Sequence, residues 1–348
     1  MRADPSLDVG KISACLAAHY NLRVASVTFL PIGYDLNAAV YKVILHGGTA
    51  YFLKIRFGPV HEPGLLVPRA LVDLGIRNVL APLRTRSSNL WCPLDGYAGY
   101  SVVLYPFITG ENAMVVGLSD DQWREFGSTL QAVHASGLAE RFRGRLPVET
   151  FSLPSAALVR QLLTLTDGVR AEGDAAAQFA AFWREHAEQI QHLLARAEGL
   201  GTRLQSKSFE YVLCHADIHA ANILVGDDGR IYLIDWDGPL IAPRERDLLF
   251  VVGSRIARAV EPREEGLFFE GYGPAEIDPV ALVYYRYERI IEDIGEIGKS
   301  VFLDPSLGER ARAEEAELAI SFFAPGGDID NAETVSLVSA RSRLPDLP

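Results

Sequence analysis

The run Tyr211-Val-Leu-Cys-His-Ala-Asp-Ile-His-Ala-Ala-Asn-Ile-Leu-Val225, followed by Ile231-Tyr-Leu-Ile-Asp-Trp-Asp237, carries the strongest pattern in the chain. Three short apolar runs, Tyr211 to Cys214, Ile223 to Val225 and Ile231 to Ile234, alternate with polar residues confined to the joints. Runs this short and this rich in Val, Ile and Tyr predict buried strands. Gly226-Asp-Asp-Gly229 predicts the turn of a hairpin between the last two. Such a hairpin would hold Asn222 and Asp235 on one rigid wall, with Asp217 in the loop that leads into it.

Three side-chain oxygens in that order suit phosphoryl transfer from ATP. The reaction needs a group that orients the attacking hydroxyl and takes its proton, hard oxygen ligands for Mg²⁺, and positive charge on the phosphates. Asp217 fits the first task. Asn222 and Asp235 fit the second, because Mg²⁺ takes few protein oxygens and completes its octahedron with water and phosphate. The order matches H-R-D-x-x-x-x-N followed by D-F-G, in a different vocabulary: His-Ala-Asp-Ile-His-Ala-Ala-Asn and Ile-Asp-Trp-Asp. With these residues the chain resembles the aminoglycoside phosphotransferase and choline kinase superfamily. His215 reads as a buried imidazole bracing the loop. His219 stays open between a loop residue and a contact to substrate or phosphate.

Upstream, Tyr51-Phe-Leu-Lys-Ile-Arg-Phe57 alternates, with Phe52, Lys54 and Arg56 on the face opposite Tyr51, Leu53 and Ile55. Lys54 is either a solvated strand lysine or, given the downstream motif, the cation for the ATP phosphates. A kinase lysine needs an acidic anchor, and Glu62 is the only carboxylate between Lys54 and Asp73. The Pro63-Gly64 pair after it can interrupt a helix start. Between the first two strand-like runs, Leu22 to Leu30 and Ala39 to Leu45, Gly33 is an ordinary hairpin glycine or part of a phosphate-covering loop. Tyr105-Pro-Phe-Ile-Thr-Gly110 resembles the family's hinge, where the Pro106 carbonyl and the Ile108 N–H would read adenine; the alternative is a plain linker.

The chain has 348 residues, 49% hydrophobic, with a mean hydropathy of +0.10, values typical of globular proteins. A net charge of −12 disfavours nucleic acid and anionic membrane as partners and suits a cationic ligand. Cys15, Cys92 and Cys214 are spaced for neither a disulfide framework nor a zinc site. No leader pattern or membrane-length apolar run stands out, so a reduced, cytoplasmic, monomeric protein is expected.

Helices are predicted over Ser6 to Tyr20, behind the capping box Ser119-Asp-Asp-Gln122, over Pro154 to Leu165 and Asp174 to Leu200, after Asp278-Pro279, and over Leu307 to Phe323. A predicted strand covers Val79 to Arg84. The helix after Pro279 carries Glu288, Glu292 and Glu296 at successive i, i+4 positions, which repel unless a cation offsets them. Arg286 and Arg289 are one answer and a cationic substrate the other.

Taken together, Ile-Asp-Trp-Asp-Gly-Pro-Leu-Ile-Ala-Pro-Arg-Glu-Arg-Asp-Leu, Glu-Gly-Tyr-Gly273 and Tyr-Tyr-Arg-Tyr-Glu-Arg-Ile-Ile-Glu-Asp293 resemble the spectinomycin phosphotransferases. That resemblance implies an α+β, two-lobed protein-kinase-like fold: a β-rich nucleotide-binding N-lobe (1–108), a helical catalytic and substrate-binding C-lobe (109–325), and a loosely held tail (326–348). It implies ATP-dependent phosphorylation of a hydroxyl on a cationic antibiotic, with Mg²⁺. It assigns Asp247 to steadying the catalytic loop, and Asp237, Glu288, Glu292 and Asp293 to the substrate. A metabolic kinase acting on choline, homoserine or a sugar, and a non-catalytic nucleotide-binding regulator, are the alternatives.

Overall fold

A computed structural model describes residues 6–32, 37–168 and 174–332. In chain order the elements begin with α1 (Val9–Tyr20), β1 (Val24–Leu30), β2 (Ala38–Leu45), β3 (Ala50–Phe57), α2 (Pro63–Asp73), β4 (Cys92–Pro93) and β5 (Tyr100–Pro106). Next come β6 (Gly110–Asn112), α3 (Ala113–Val116), α4 (Asp120–His134), α5 (Leu138–Arg141), α6 (Ala156–Gly168), α7 (Asp174–Glu185) and α8 (Ala187–Gln205). The chain then forms β7 (Tyr211–Cys214), a 3-10 turn (Ala220–Asn222), β8 (Ile223–Gly226), β9 (Ile231–Leu233), β10 (Leu240–Pro243) and α9 (Glu245–Leu248). It closes with α10 (Pro262–Tyr272), α11 (Pro279–Leu303) and α12 (Glu309–Ser321). This mixture makes the chain α+β.

By packing, the chain groups into two compact units. The first comprises Met1–Pro147, Leu213–Leu240 and Gly266–Gly273, and the second Val148–Val212, Ile241–Glu265 and Pro274–Pro348. The hairpin β8-β9 therefore belongs to the first unit, where it extends β6 into a separate three-stranded sheet.

In the first unit a five-stranded antiparallel sheet runs β1-β2-β3-β5-β4. Strand alternation puts Leu53 and Ile55 into a core with Ile12, Cys15 and Leu16 of α1 and with Val102 and Leu104 of β5. Lys54 therefore projects from the other face of the middle strand, between Val40 and Val103 in register. Helix α1 is fixed at its start by the Asp8 side chain, which accepts from Gly10 and Lys11, and at its end by Asn21 in the left-handed region. The capping box at Ser119 and Gln122 forms. Helices α4 and α10 cross closely enough that a Cβ on Gly127 would lie 2.0 Å from the Phe268 carbonyl oxygen.

Two expectations change here. Residues 79–84 form no strand; Val79 makes one bridge to Leu233, and the Leu80 N–H donates to the Leu233 carbonyl. Pro82, lacking an N–H, cannot extend that ladder. Cys15 and Cys92, 77 positions apart, meet with their sulfurs 3.6 Å apart in the core.

In the second unit α11 is the hub, burying Tyr284, Tyr285 and Tyr287 completely. Asp278 caps it, accepting from Val280 and Ala281, and Pro279 occupies its first turn. Residues 174–200, expected as one helix, form two, with the joint at His186 (φ −99°, ψ 10°). There the imidazole Nδ1 donates to the Phe182 carbonyl at 3.0 Å, which also accepts the His186 N–H, and the ring stacks on Phe182.

Candidate active site

The loop between β7 and β8 is held by hydrogen bonds whose direction can be worked out. His215 is completely buried, and its Nε2 lies 2.8 Å from the Ile234 carbonyl. A carbonyl only accepts, so Nε2 carries the proton and Nδ1 is the acceptor for the Asp217 N–H, at 3.3 Å. One neutral imidazole thus ties the Asp217 backbone to the residue before Asp235, with its ring against Trp236 at 4.4 Å. Asn222 adds a second tie: its Nδ2 donates to the Asp217 carbonyl (2.8 Å) and to Oδ2 of the Asp217 carboxylate (3.1 Å). The Asn222 carbonyl in turn accepts from the Ile234 N–H at 3.0 Å. His219 accepts at Nδ1 from the Ala221 N–H, so Nε2 bears its proton and faces Oδ1 of Asp217 at 3.5 Å.

Asp235 adopts a left-handed backbone (φ 62°), as does Ala216 (φ 72°). For non-glycine residues this costs roughly 1–2 kcal/mol, strain that characteristically persists at functional sites. The Asp235 side chain is open to solvent yet crowded by protein. That crowding, with the charge of Asp237, raises its carboxyl above the ordinary range, while Lys54 pulls the other way. A divalent cation would reverse the penalty. Asn222 uses its amide donors on Asp217, leaving its side-chain oxygen as the acceptor. An amide oxygen and a carboxylate are hard donors, and the pair fits Mg²⁺.

Lys54 forms its ion pair with Asp237 (3.5 Å), and this corrects the expected anchor. Glu62 stands exposed at the N-cap of α2 with no side-chain capping bond. Pro63 begins the helix instead of interrupting it, because at the first turn its missing N–H is no loss. Gly64 brings that helix end so close that a Cβ there would lie 2.8 Å from the Trp236 carbonyl oxygen. Tyr105, at the end of β5, has its hydroxyl pushed up by burial and by Asp237 and Asp235. Pro106 ends β5 opposite Tyr51, and the Ile108 N–H has no hydrogen-bond partner among the described residues. Gly33 lies outside the described residues.

The remaining candidates lie in the second unit. Asp247 is completely buried on α9. Glu288 is buried on α11, and burial pushes its carboxyl up to about 7 against the pull of Arg246. Within the second unit the cation facing the acidic row is Arg246 and not Arg286. Arg246 lies 3.6 Å from Glu288 and 3.9 Å from Glu292, over the Tyr285 ring. Arg286 donates to the Val252 carbonyl. Arg289 pairs with Asp293 (2.9 Å) and Lys299 with Glu296 (2.9 Å). Arg246, Gly64 and Tyr105 escaped the sequence reading; Arg246 was visible only as one charge within Pro-Arg-Glu-Arg-Asp. Among the described residues no helix is long and apolar enough to cross a membrane.

Known structures resemble this arrangement. A spectinomycin phosphotransferase solved with ADP and spectinomycin superposes with a TM-score of 0.85 at 30% identity, over 95% of this chain and 99% of that one. An amicoumacin kinase solved with AMP-PNP and Ca²⁺ shares the fold at TM-score 0.61 and 16% identity, covering 96% and 94% of the two chains. A choline kinase from Streptococcus pneumoniae does so at 0.52 and 15%, covering 89% and 97%. Residues 28–283 match the model of the phosphotransferase enzyme family. With that match spanning most of the chain, and with the whole-length likeness at 30% identity, the chain belongs to the phosphotransferase enzyme family.

Proposed function

We propose that this enzyme transfers the terminal phosphoryl group of ATP to a hydroxyl of a cationic aminocyclitol antibiotic, with spectinomycin the first candidate, and so confers resistance. The observation that carries the reading is the convergence of Lys54, Asp217, Asn222, Asp235 and Asp237 through the hydrogen bonds and ion pair described above. The 30% identity to a spectinomycin phosphotransferase over 95% of this chain supports the substrate class.

Asp217 is the group for the acceptor hydroxyl. Asn222 pins Oδ2, the His219 N–H faces Oδ1, and the side chain remains 40% exposed, so a substrate can reach it. As the hydroxyl attacks phosphorus, its proton passes to this carboxylate. Asn222 and Asp235 would hold Mg²⁺, which when bound neutralises charge on the phosphates. Lys54, steered by Asp237, adds a second positive charge there. The Pro106 carbonyl and Ile108 N–H would read adenine. Of the substrate candidates, Asp237 is occupied by Lys54, Glu288 is buried, and Asp293 is engaged by Arg289. Glu292, 45% exposed and loosely paired with Arg246, is the carboxylate best placed to meet an ammonium group.

Mass spectrometry of an antibiotic panel, with choline, homoserine and sugars included, tests this after incubation with Mg-ATP. One added phosphoryl group on spectinomycin supports the reading. Product only on choline, homoserine or a sugar makes the chain a metabolic kinase. Nucleotide binding without product on any acceptor makes it a regulator.

A further inference from the structure

Cys15, His19 and Cys92 lie apart from the catalytic loop, and phosphoryl transfer uses none of them. Their two sulfurs and one imidazole nitrogen all lie within 4.8 Å of one another. Cys15 and His19 are one turn apart on α1, so their side chains share a face. Cys92 comes from β4, the edge strand, paired in register with Val102 of β5.

We propose that these three residues bind Zn²⁺ and that the ion ties α1 to the edge of the sheet. The sulfur separation is 3.6 Å. Two thiolates about 2.3 Å from one tetrahedral ion sit roughly 3.7 Å apart, so the cysteines need almost no movement to share a cation. A disulfide would instead require the sulfurs to close to about 2.05 Å. Charge points the same way. Cys15 and Cys92 are 2% and 3% exposed, among Leu16, Leu94 and Val102. Two thiolates and one Zn²⁺ sum to zero, whereas the same thiolates with Cu⁺ would leave a net charge in that apolar core. His19 is only half-buried, which gives the ion a way in from solvent.

A second polar group lies at the same place. The Tyr20 hydroxyl is buried and interacts with the Cys92 side chain and the Leu104 carbonyl. A metal-bound thiolate beside it is an acceptor for that O–H, the kind of outer hydrogen bond that orients a ligand sulfur. The fourth coordination position is left to water. Binding displaces two thiol protons into solvent, so affinity rises with pH.

The test uses the full-length chain, reduced and stripped with a chelator. Co²⁺, a spectroscopic stand-in for Zn²⁺, should give a thiolate-to-cobalt charge-transfer band that saturates at one equivalent and disappears when Zn²⁺ is added. Oxygen ligands such as Asn222 and Asp235 cannot produce that band, so the signal is independent of the catalytic site. Saturating Zn²⁺ should raise Tm by several degrees. Cys92→Ser should abolish the band, and His19→Gln, at a half-buried position that leaves the core intact, should weaken Zn²⁺ binding about tenfold or more. The proposal is overturned by absence of the band, by His19→Gln binding Zn²⁺ as tightly as the parent, by a preference for Cu⁺ over Zn²⁺ in competition, or by thiol titration showing a Cys15–Cys92 disulfide with no metal uptake.

Discussion

The candidate-site segment from Asp217 to Asp237 and the acidic face of α11 both carry several carboxylates within a short stretch, but they handle charge differently. In the loop, the Asp217 carboxylate accepts from the Asn222 amide and its backbone is tied to Ile234 through one imidazole, while Lys54 pairs with Asp237 at 3.5 Å. On α11, the carboxylates Glu288, Asp293 and Glu296 each face a basic side chain of the same unit. Negative charge that is held in place but not fully neutralised is ready to receive a cationic ligand. Negative charge already matched by arginine is first of all a folding device. Counting carboxylates along a helix does not separate the two cases, because the neutralising residue can come from elsewhere in the chain, as Arg246 does.

The contrast predicts a graded set of losses. Asp217→Asn should lower kcat by about 10³-fold or more, near the upper end for loss of a general base, with the nucleotide Kd changed less than about twofold; near-normal turnover would remove Asp217 from its role. Arg246→Leu should act on stability, because it strands Glu288 in the interior. Breaking a buried pair in this way typically costs about 3–5 kcal/mol, readable in urea unfolding. A loss of turnover with unchanged stability would instead move Arg246 into the substrate site.

The pH response sharpens the same point. The Glu288 carboxyl is raised to about 7 from an ordinary 4.5, so the folded state holds a proton that the unfolded chain releases. That contribution is complete below about pH 4.5 and is lost as pH rises through 7. Glu288→Gln should therefore flatten the fall in stability between pH 5 and pH 8 by on the order of 2 kcal/mol, measured as the change in unfolding free energy at the two pH values. The smallest effects concern the lysine. Lys54→Gln should raise KM for ATP about tenfold, a difference of roughly 1.4 kcal/mol, while Glu62→Gln should leave it within about twofold. Equal losses from both would restore Glu62 as the anchor.

What could be read from the sequence was what is local along the chain. Asp217, Asn222 and Asp235 are spaced by one loop and one hairpin, and the side chains that hold them, His215 and Asn222, lie in the same stretch. The capping box at Ser119 and the Asp278-Pro279 start of α11 are local signals of the same sort. What escaped depends on contacts between distant segments. Asp237 meets Lys54 across 183 positions, and Cys15 meets Cys92 across 77; no periodicity encodes either. The joint at His186 escaped for a different reason. The apolar stripe continues through it, and only the non-helical backbone at His186 marks the joint.

Gly64 has a consequence that reaches past its own helix. Its Cα lies against the peptide joining Trp236 to Asp237, where an added methyl would sit 2.8 Å from the Trp236 oxygen. Alanine, the mildest of substitutions and a good helix former, would wedge that segment outward from a position where no ligand arrives. A random library screened for inactive clones should accordingly return this glycine alongside the catalytic aspartate, and a suppressor that restores activity should map to the facing backbone turn.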